Sequence, residues 1–180
     1  MCEPIKHNAV QTLDRVSGLA RNSKRNLYFQ RSGTMSKEIN DYIQELEKCI
    51  DEAHKTGDKY NFIDPAYDII EGIENLENPF EAVEPILRLI ERSPDIDYGG
   101  PGPFGSFVEK FSKTPEMNYE KLLVESLQRK PTEYTVYLLD RICRVKTYPD
   151  RPRYVKLIKT FADSDFLSDY WKEAIRSIEE

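Results

Sequence analysis

The sequence predicts an all-α protein of about eight helices in antiparallel pairs. Apolar residues recur at three- and four-residue spacing from Ser36 to the end of the chain, and no stretch sustains the strict alternation of a half-buried strand. Helix punctuation recurs between these periodic runs: a capping residue ahead of a proline or an acid, or a glycine after the last apolar position. The exception is 95–107, which holds four of the eight glycines and two of the eleven prolines. It is expected to be a shaped loop, with Gly99, Gly100 and Gly102 free to take φ > 0 and Pro101 and Pro103 fixing φ.

Residues 1–34 show no periodic apolar face. Asn26-Leu-Tyr-Phe-Gln30 reproduces the core of the tobacco etch protease cleavage site, although Arg25 stands in place of its glutamate and Arg31 intervenes before Ser32. This stretch is expected to be a leader, with Met35 the native start and 35–180 a single helical domain.

The elements then follow in order. Ser36 caps a helix with the stripe Ile39, Tyr42, Ile43, Leu46, Ile50 and Ala53, ended by Gly57. Asp64-Pro65 is expected to open a second helix, burying Ile69, Ile70, Ile73 and Leu76. Asn78-Pro79-Phe80-Glu81 opens a third, with Val83, Ile86, Leu87 and Ile90 inward and a kink expected at Pro85. Beyond the loop, Phe104, Phe107, Val108 and Phe111 fit a short amphipathic helix. Asn118 caps the next, with Tyr119, Leu122, Leu123, Ser126 and Leu127 inward. Thr132 opens the helix that is apolar most of the way round (Val136, Leu138, Leu139, Ile142, Cys143, Val145) and is therefore expected to be the most buried. Pro149 and Pro152 bracket the start of a helix with Tyr154, Leu157, Ile158 and Phe161. The last is expected to start at Ser164 or Asp165 and to bury Leu167, Tyr170, Trp171, Ala174 and Ile178. Short connections favour a HEAT-like α-solenoid over a closed bundle, with an irregular helical bundle as the other form of the same class.

Charge narrows the function classes. Residues 1–34 carry Lys6, Arg15, Arg21, Lys24, Arg25 and Arg31 against Glu3 and Asp14, a net of +4. That leaves −10 on the remainder of a chain whose formal net charge is −6. Such a domain repels phosphate backbones and attracts basic proteins. No apolar run reaches the ~20 residues that span a bilayer, and Met1 to Ala20 lacks the apolar core of an export signal. Cys2, Cys49 and Cys143 show no paired spacing, so reduced thiols and a cytoplasmic location are expected.

Residue types for catalysis are sparse. Gly100-x4-Gly105-Ser106 has the glycine spacing of a phosphate loop but lacks its lysine and a preceding strand, and Asp95 and Asp97 would repel phosphate. Of the two histidines, His7 is in the leader and His54 lies late in the first helix, so no nucleophile–histidine pair exists. Glu45, Glu47, Asp51, Glu52, Glu71, Glu74 and Glu77 have neither calcium-loop spacing nor a Glu-x-x-His pair, and solvated helix faces account for them. No enzyme activity, metal or cofactor is expected. Eleven tyrosines are unusual. Tyr98, Tyr134, Tyr137 and Tyr148 are hard to place inside, and with acidic neighbours they suit a protein-binding surface.

Gly99-Gly-Pro-Gly-Pro-Phe-Gly-Ser-Phe-Val-Glu109, followed by Arg129-Lys-Pro-Thr-Glu-Tyr-Thr-Val-Tyr-Leu-Leu-Asp-Arg141, resembles small bacterial helical proteins that act as immunity proteins in polymorphic-toxin and contact-dependent inhibition systems. Members often show Gly-x-Pro-Gly-Pro-Leu-Val-His-Phe and then Arg-x-Pro-Thr. Here Phe104, Gly105 and Ser106 stand for Leu-Val-His, so any role of that histidine is absent. The resemblance implies a cytoplasmic inhibitor of a cognate toxin domain, a class that includes basic nucleases. With the acidic charge and the lack of a long apolar run, the expected partner is a basic protein toxin, with no nucleic acid and no membrane bound. The partner-binding residues expected are Asp95, Asp97, Tyr98, Phe104, Glu109, Tyr134 and Tyr137. A helical-repeat adaptor and a carboxylate-based metal-dependent enzyme are the alternatives.

Overall fold

The structure is a computed structural model that describes residues 36–114 and 116–179. Two units divide the chain, Met1–Ser36 and Lys37–Glu180, and all the described helices belong to the second. The expected leader, residues 1–34, lies outside the described residues.

The protein is all-α. Eight α-helices are described: α1 (Lys37–Thr56), α2 (Tyr60–Glu74), α3 (Val83–Arg92), α4 (Gly102–Val108), α5 (Tyr119–Arg129), α6 (Glu133–Arg144), α7 (Arg151–Lys159) and α8 (Asp169–Arg176). Two 3-10 turns, Pro79–Ala82 and Glu109–Phe111, precede α3 and follow α4.

The helices α1 and α2 form an antiparallel hairpin. Gly57, at φ +68°, ends α1 with its N–H on the Ala53 carbonyl (2.9 Å). At the turn Asn61 Nδ2 donates to Thr56 Oγ1 (2.7 Å); at the far end Tyr42 lies so close to Gly72 that a Cβ there would stand 2.8 Å from its ring. Helix α2 begins a turn before Asp64-Pro65, so Pro65 sits inside it. The early start brings Phe62 fully into the core, edge-on to Tyr98 and Phe104 with centroids 5.2 and 5.0 Å apart. Asp58 Oδ1 accepts from the Tyr60 N–H (2.9 Å) and supplies the capping expected of Asp64.

Asn78 donates its amide to Glu81 Oε1 (2.7 Å) rather than capping a backbone N–H. The chain passes through the Pro79–Ala82 3-10 turn, and α3 starts at Val83. Pro85 therefore falls in the first turn of α3, where an N–H has no helical partner to lose, and a change of helix type replaces the expected kink. The glycine-proline stretch is also shorter as a loop than expected. Gly99 and Gly102 take positive φ, Gly100 does not, the Gly100–Pro101 peptide is cis, and α4 runs from Gly102 through Phe104, Phe107 and Val108. Helix α8 starts at Asp169 rather than at Ser164 or Asp165. Its Ile175 is buried, while Tyr170, expected inward, is 73% exposed.

Helices α1, α3 and α5 pack successively in one row, and α2 packs on α4 in another that α6 continues through Tyr134 and Gly105. Helix α3 also reaches α6, so the rows share one core. Helix α7 packs on α6, α8 packs on α7, and neither extends the rows. The rows join helices of 20, 10 and 11 residues and of 15, 7 and 12, so the described residues form no regular repeat and fit an irregular helical bundle. Helix α6 buries Val136, Leu138, Leu139, Ile142 and Cys143. Thr132 closes a reciprocal capping box with Thr135 at its start.

Candidate functional site

The segment between α3 and α4 is held from both sides. Tyr98 donates its hydroxyl to the Ser93 carbonyl (2.8 Å) and is 1% exposed, packed among Phe62, Phe104 and Tyr134. Burial pushes its hydroxyl well above the usual tyrosine range. Phe104 is fully enclosed. Tyr98 and Phe104, expected on a partner-facing loop, are thus core residues that pin the loop to α2 and α6. Glycine and proline determine the path of the segment, and its aromatic residues turn inward.

Asp95 and Asp97 remain at the surface, and both have partners within the chain. His54 Nδ1 lies 3.2 Å from Asp95 Oδ2. Lys59 Nζ donates to Asp97 Oδ2 (2.7 Å), and the Gly99 N–H donates to Asp97 Oδ1 (2.9 Å). The Lys59 hydrogen bond, with the Gly99 N–H, holds the Asp97 carboxyl below its ordinary range, and Asp97 in turn raises the Lys59 ammonium. An open cleft of about 570 Å³ lies between the end of α1 and this segment, lined by His54, Lys59, Tyr60, Asp95 and Asp97 among others.

The remaining expected residues form a second group. Tyr134 donates its hydroxyl to the Pro101 carbonyl and accepts the Gly105 N–H (2.8 Å). Burial drives this hydroxyl strongly upward. Gly105 is closely enclosed here: a Cβ would stand 2.7 Å from Pro101 Cβ and 2.9 Å from Tyr134 Oη. Arg141 grips both carboxylate oxygens of Glu109 through Nε and Nη2, the latter at 2.8 Å, and lies over the Tyr137 ring. The Glu109 hydrogen bonds raise the Arg141 guanidinium. Rings continue from Tyr134 to Tyr137 and on to Trp171 and Tyr170, with successive centroids 5.7, 5.7 and 5.4 Å apart. Glu109, Tyr134 and Tyr137 are half-buried elements of this column, separated from the Asp95–Asp97 edge by the Tyr98–Phe104 plug.

Several polar residues were not legible beforehand. Glu91, 5% exposed, accepts from Ser126 Oγ (2.7 Å) and Arg129 Nη2 (2.7 Å), joining α3 to α5. Glu120, 8% exposed, accepts from the Tyr148 hydroxyl and the Lys113 N–H (2.9 Å), while Ser112 bonds the same hydroxyl. The only sequence signal for the first cluster is that Ser126 and Arg129, three apart, share one face of α5 with Leu122. Among the described residues no group of three or more His, Cys, Asp or Glu converges as a metal site. Among them, too, no helix is long and apolar enough to cross a membrane.

Large apolar side chains exposed on the described surface are Tyr60, Tyr67, Val145, Phe166 and Tyr170. Tyr60 and Tyr67 lie on one face of α2, and neither was singled out by the sequence patterns. No protein-family model, curated protein or solved structure matches the chain.

Proposed function

We propose that the protein is an immunity-type binder that neutralises the toxic domain of a basic cognate protein. One observation carries this reading: the two stretches that resemble the immunity family meet and lock. Pro101 and Gly105 of the first are hydrogen-bonded by Tyr134 of the second, and Glu109 of the first is held by Arg141 of the second. Two motifs about thirty residues apart in sequence therefore form one structural unit, which is what a shared scaffold requires. The −10 charge of 35–180, from a chain total of −6, suits a basic partner and speeds encounter with it. Binding alone accounts for neutralisation, with no reaction step.

The test is expression of the reading frame adjacent to this gene, alone and together with residues 35–180. Growth arrest relieved by co-expression, with a stable complex on purification, is the expected outcome. A neighbouring product that is harmless, or that still arrests growth when this protein is abundant, would overturn the reading.

A further inference from the structure

We infer that the outer face of α2 is the surface that receives a basic, arginine-bearing segment of a partner protein. Tyr60, Asp64, Tyr67, Asp68 and Glu71 fall at i, i+4, i+7, i+8 and i+11 and so share one side of the helix. The opposite side carries Phe62, Ala66, Ile70 and Ile73 into the core. Tyr60 is 57% and Tyr67 49% exposed, the loss of contact that a surface tyrosine recovers on docking.

The three acids between and beside these rings have no lysine, arginine or histidine partner among the described residues. Neighbouring acids differ: Glu74 pairs with Lys110, Asp97 with Lys59 and Asp95 with His54. The α2 face therefore presents aromatic area together with uncompensated negative charge. Guanidinium groups fit both features, stacking on tyrosine while pairing with a carboxylate one turn away. Lys59 Nζ, held by Asp97, lies 5.7 Å from the Tyr60 ring centre, within the distance at which a guanidinium interacts with a ring. A second copy of the chain is a poor occupant, since two such faces would oppose like charges. Nucleic acid and anionic lipid are repelled for the same reason.

This inference rests on the binder reading, and the experiment separates the two. Isotope-labelled protein is titrated with a short oligo-arginine peptide, and amide shifts are followed by NMR. Saturable shifts centred on 60–71 are expected. Tyr60→Ala with Tyr67→Ala should weaken binding on the order of tenfold or more. Asp64→Asn, Asp68→Asn and Glu71→Gln together should flatten its salt dependence. Tyr170→Ala, an exposed tyrosine on α8, should leave it unchanged. Shifts centred elsewhere, an undiminished affinity in the tyrosine variant with helicity intact, or concentration-dependent self-association through this face would each overturn the inference. In the growth assay, protection by wild type and equal protection by the tyrosine variant would remove the α2 face and leave the binder reading standing. Failure of wild type to protect would remove the binder reading, and the peptide titration would still decide the face.

Discussion

Gly105 shows how much one hydrogen atom in place of a methyl can decide. Adding a Cβ forces it into Pro101 and the Tyr134 hydroxyl, neither of which can retreat without breaking the bonds that Tyr134 makes to the Pro101 carbonyl and Gly105 N–H. Gly105→Ala is expected to cost about 1–3 kcal/mol, the range of overpacking in a well-filled core, in a urea titration; a loss under ~0.5 kcal/mol would show that the contact yields. Cys143 is the counterpart in reactivity. Burial, and then the neighbouring Asp140 carboxylate, push its thiol up to about 12, and Cys49 is raised by burial and Glu45. Cys143 is expected not to react with a disulfide reagent at pH 8 until denaturant is added, whereas Cys49 is only partly covered; prompt labelling of Cys143 would contradict its burial. Tyr98 was the residue least legible from sequence. A tyrosine between two aspartates and two glycines reads as a surface anchor, because nothing local says that Phe62, Phe104 and Tyr134 leave a slot for its ring. That slot is a product of three separate helices, and it determines the side chain's direction.

Where the structure departs from the sequence reading of the elements, tertiary packing usually outweighs a local signal. Asp64-Pro65 has the form of a helix start, yet the chain enters the helix earlier, at Tyr60, because that turn delivers Phe62 to the core. Asn78-Pro79 opens a 3-10 turn before α3, and Ser168, not Ser164, precedes α8, where the Ser168 N–H is taken by Glu133 Oε2 (2.9 Å). The stripes of α1, α5 and α6 were legible because each is long, strongly periodic and cleanly punctuated. Asn118 and Thr132 cap as their residue types require. Thr132→Ala should remove the cap of α6 at a cost of ~1 kcal/mol; α6 buries much of its length, although the shorter α4 is enclosed more completely than the helix expected to be most buried. Leu139→Ala, at a fully enclosed position in the same helix, should cost about 2–5 kcal/mol. If the two costs were reversed in equilibrium unfolding, α6 would not be the packing centre. The candidate site was legible in part. Asp95 and Asp97 are exposed as their polarity implies, whereas the α2 tyrosines went unnoticed, since an isolated aromatic on an amphipathic helix does not declare which side it takes.

The whole molecule is stabilised by burying phenols as well as aliphatic side chains. Tyr98, Tyr119, Tyr134 and Tyr148 are all held above the ordinary tyrosine range, in each case first by burial. In the folded state they retain protons that the unfolded chain releases near pH 10. Their contribution to stability is therefore fully present below pH ~10 and is lost as pH rises further, toward the folded values. Tyrosinate absorbance from these residues should consequently appear together with loss of helical circular dichroism, in one steep alkaline transition. Smooth ionisation near pH 10 with helicity retained would contradict their burial. The ring column passes through Trp171, the sole tryptophan of the chain, half-buried between Tyr137 and Tyr170. Near-ultraviolet excitation absorbed by the adjacent tyrosines passes to that indole, whose emission colour follows its wetness. If α8 detaches while the rest of the bundle holds, this emission shifts to the red before the far-ultraviolet signal falls, and the chain carries an intrinsic optical gauge of how firmly its last helix is seated.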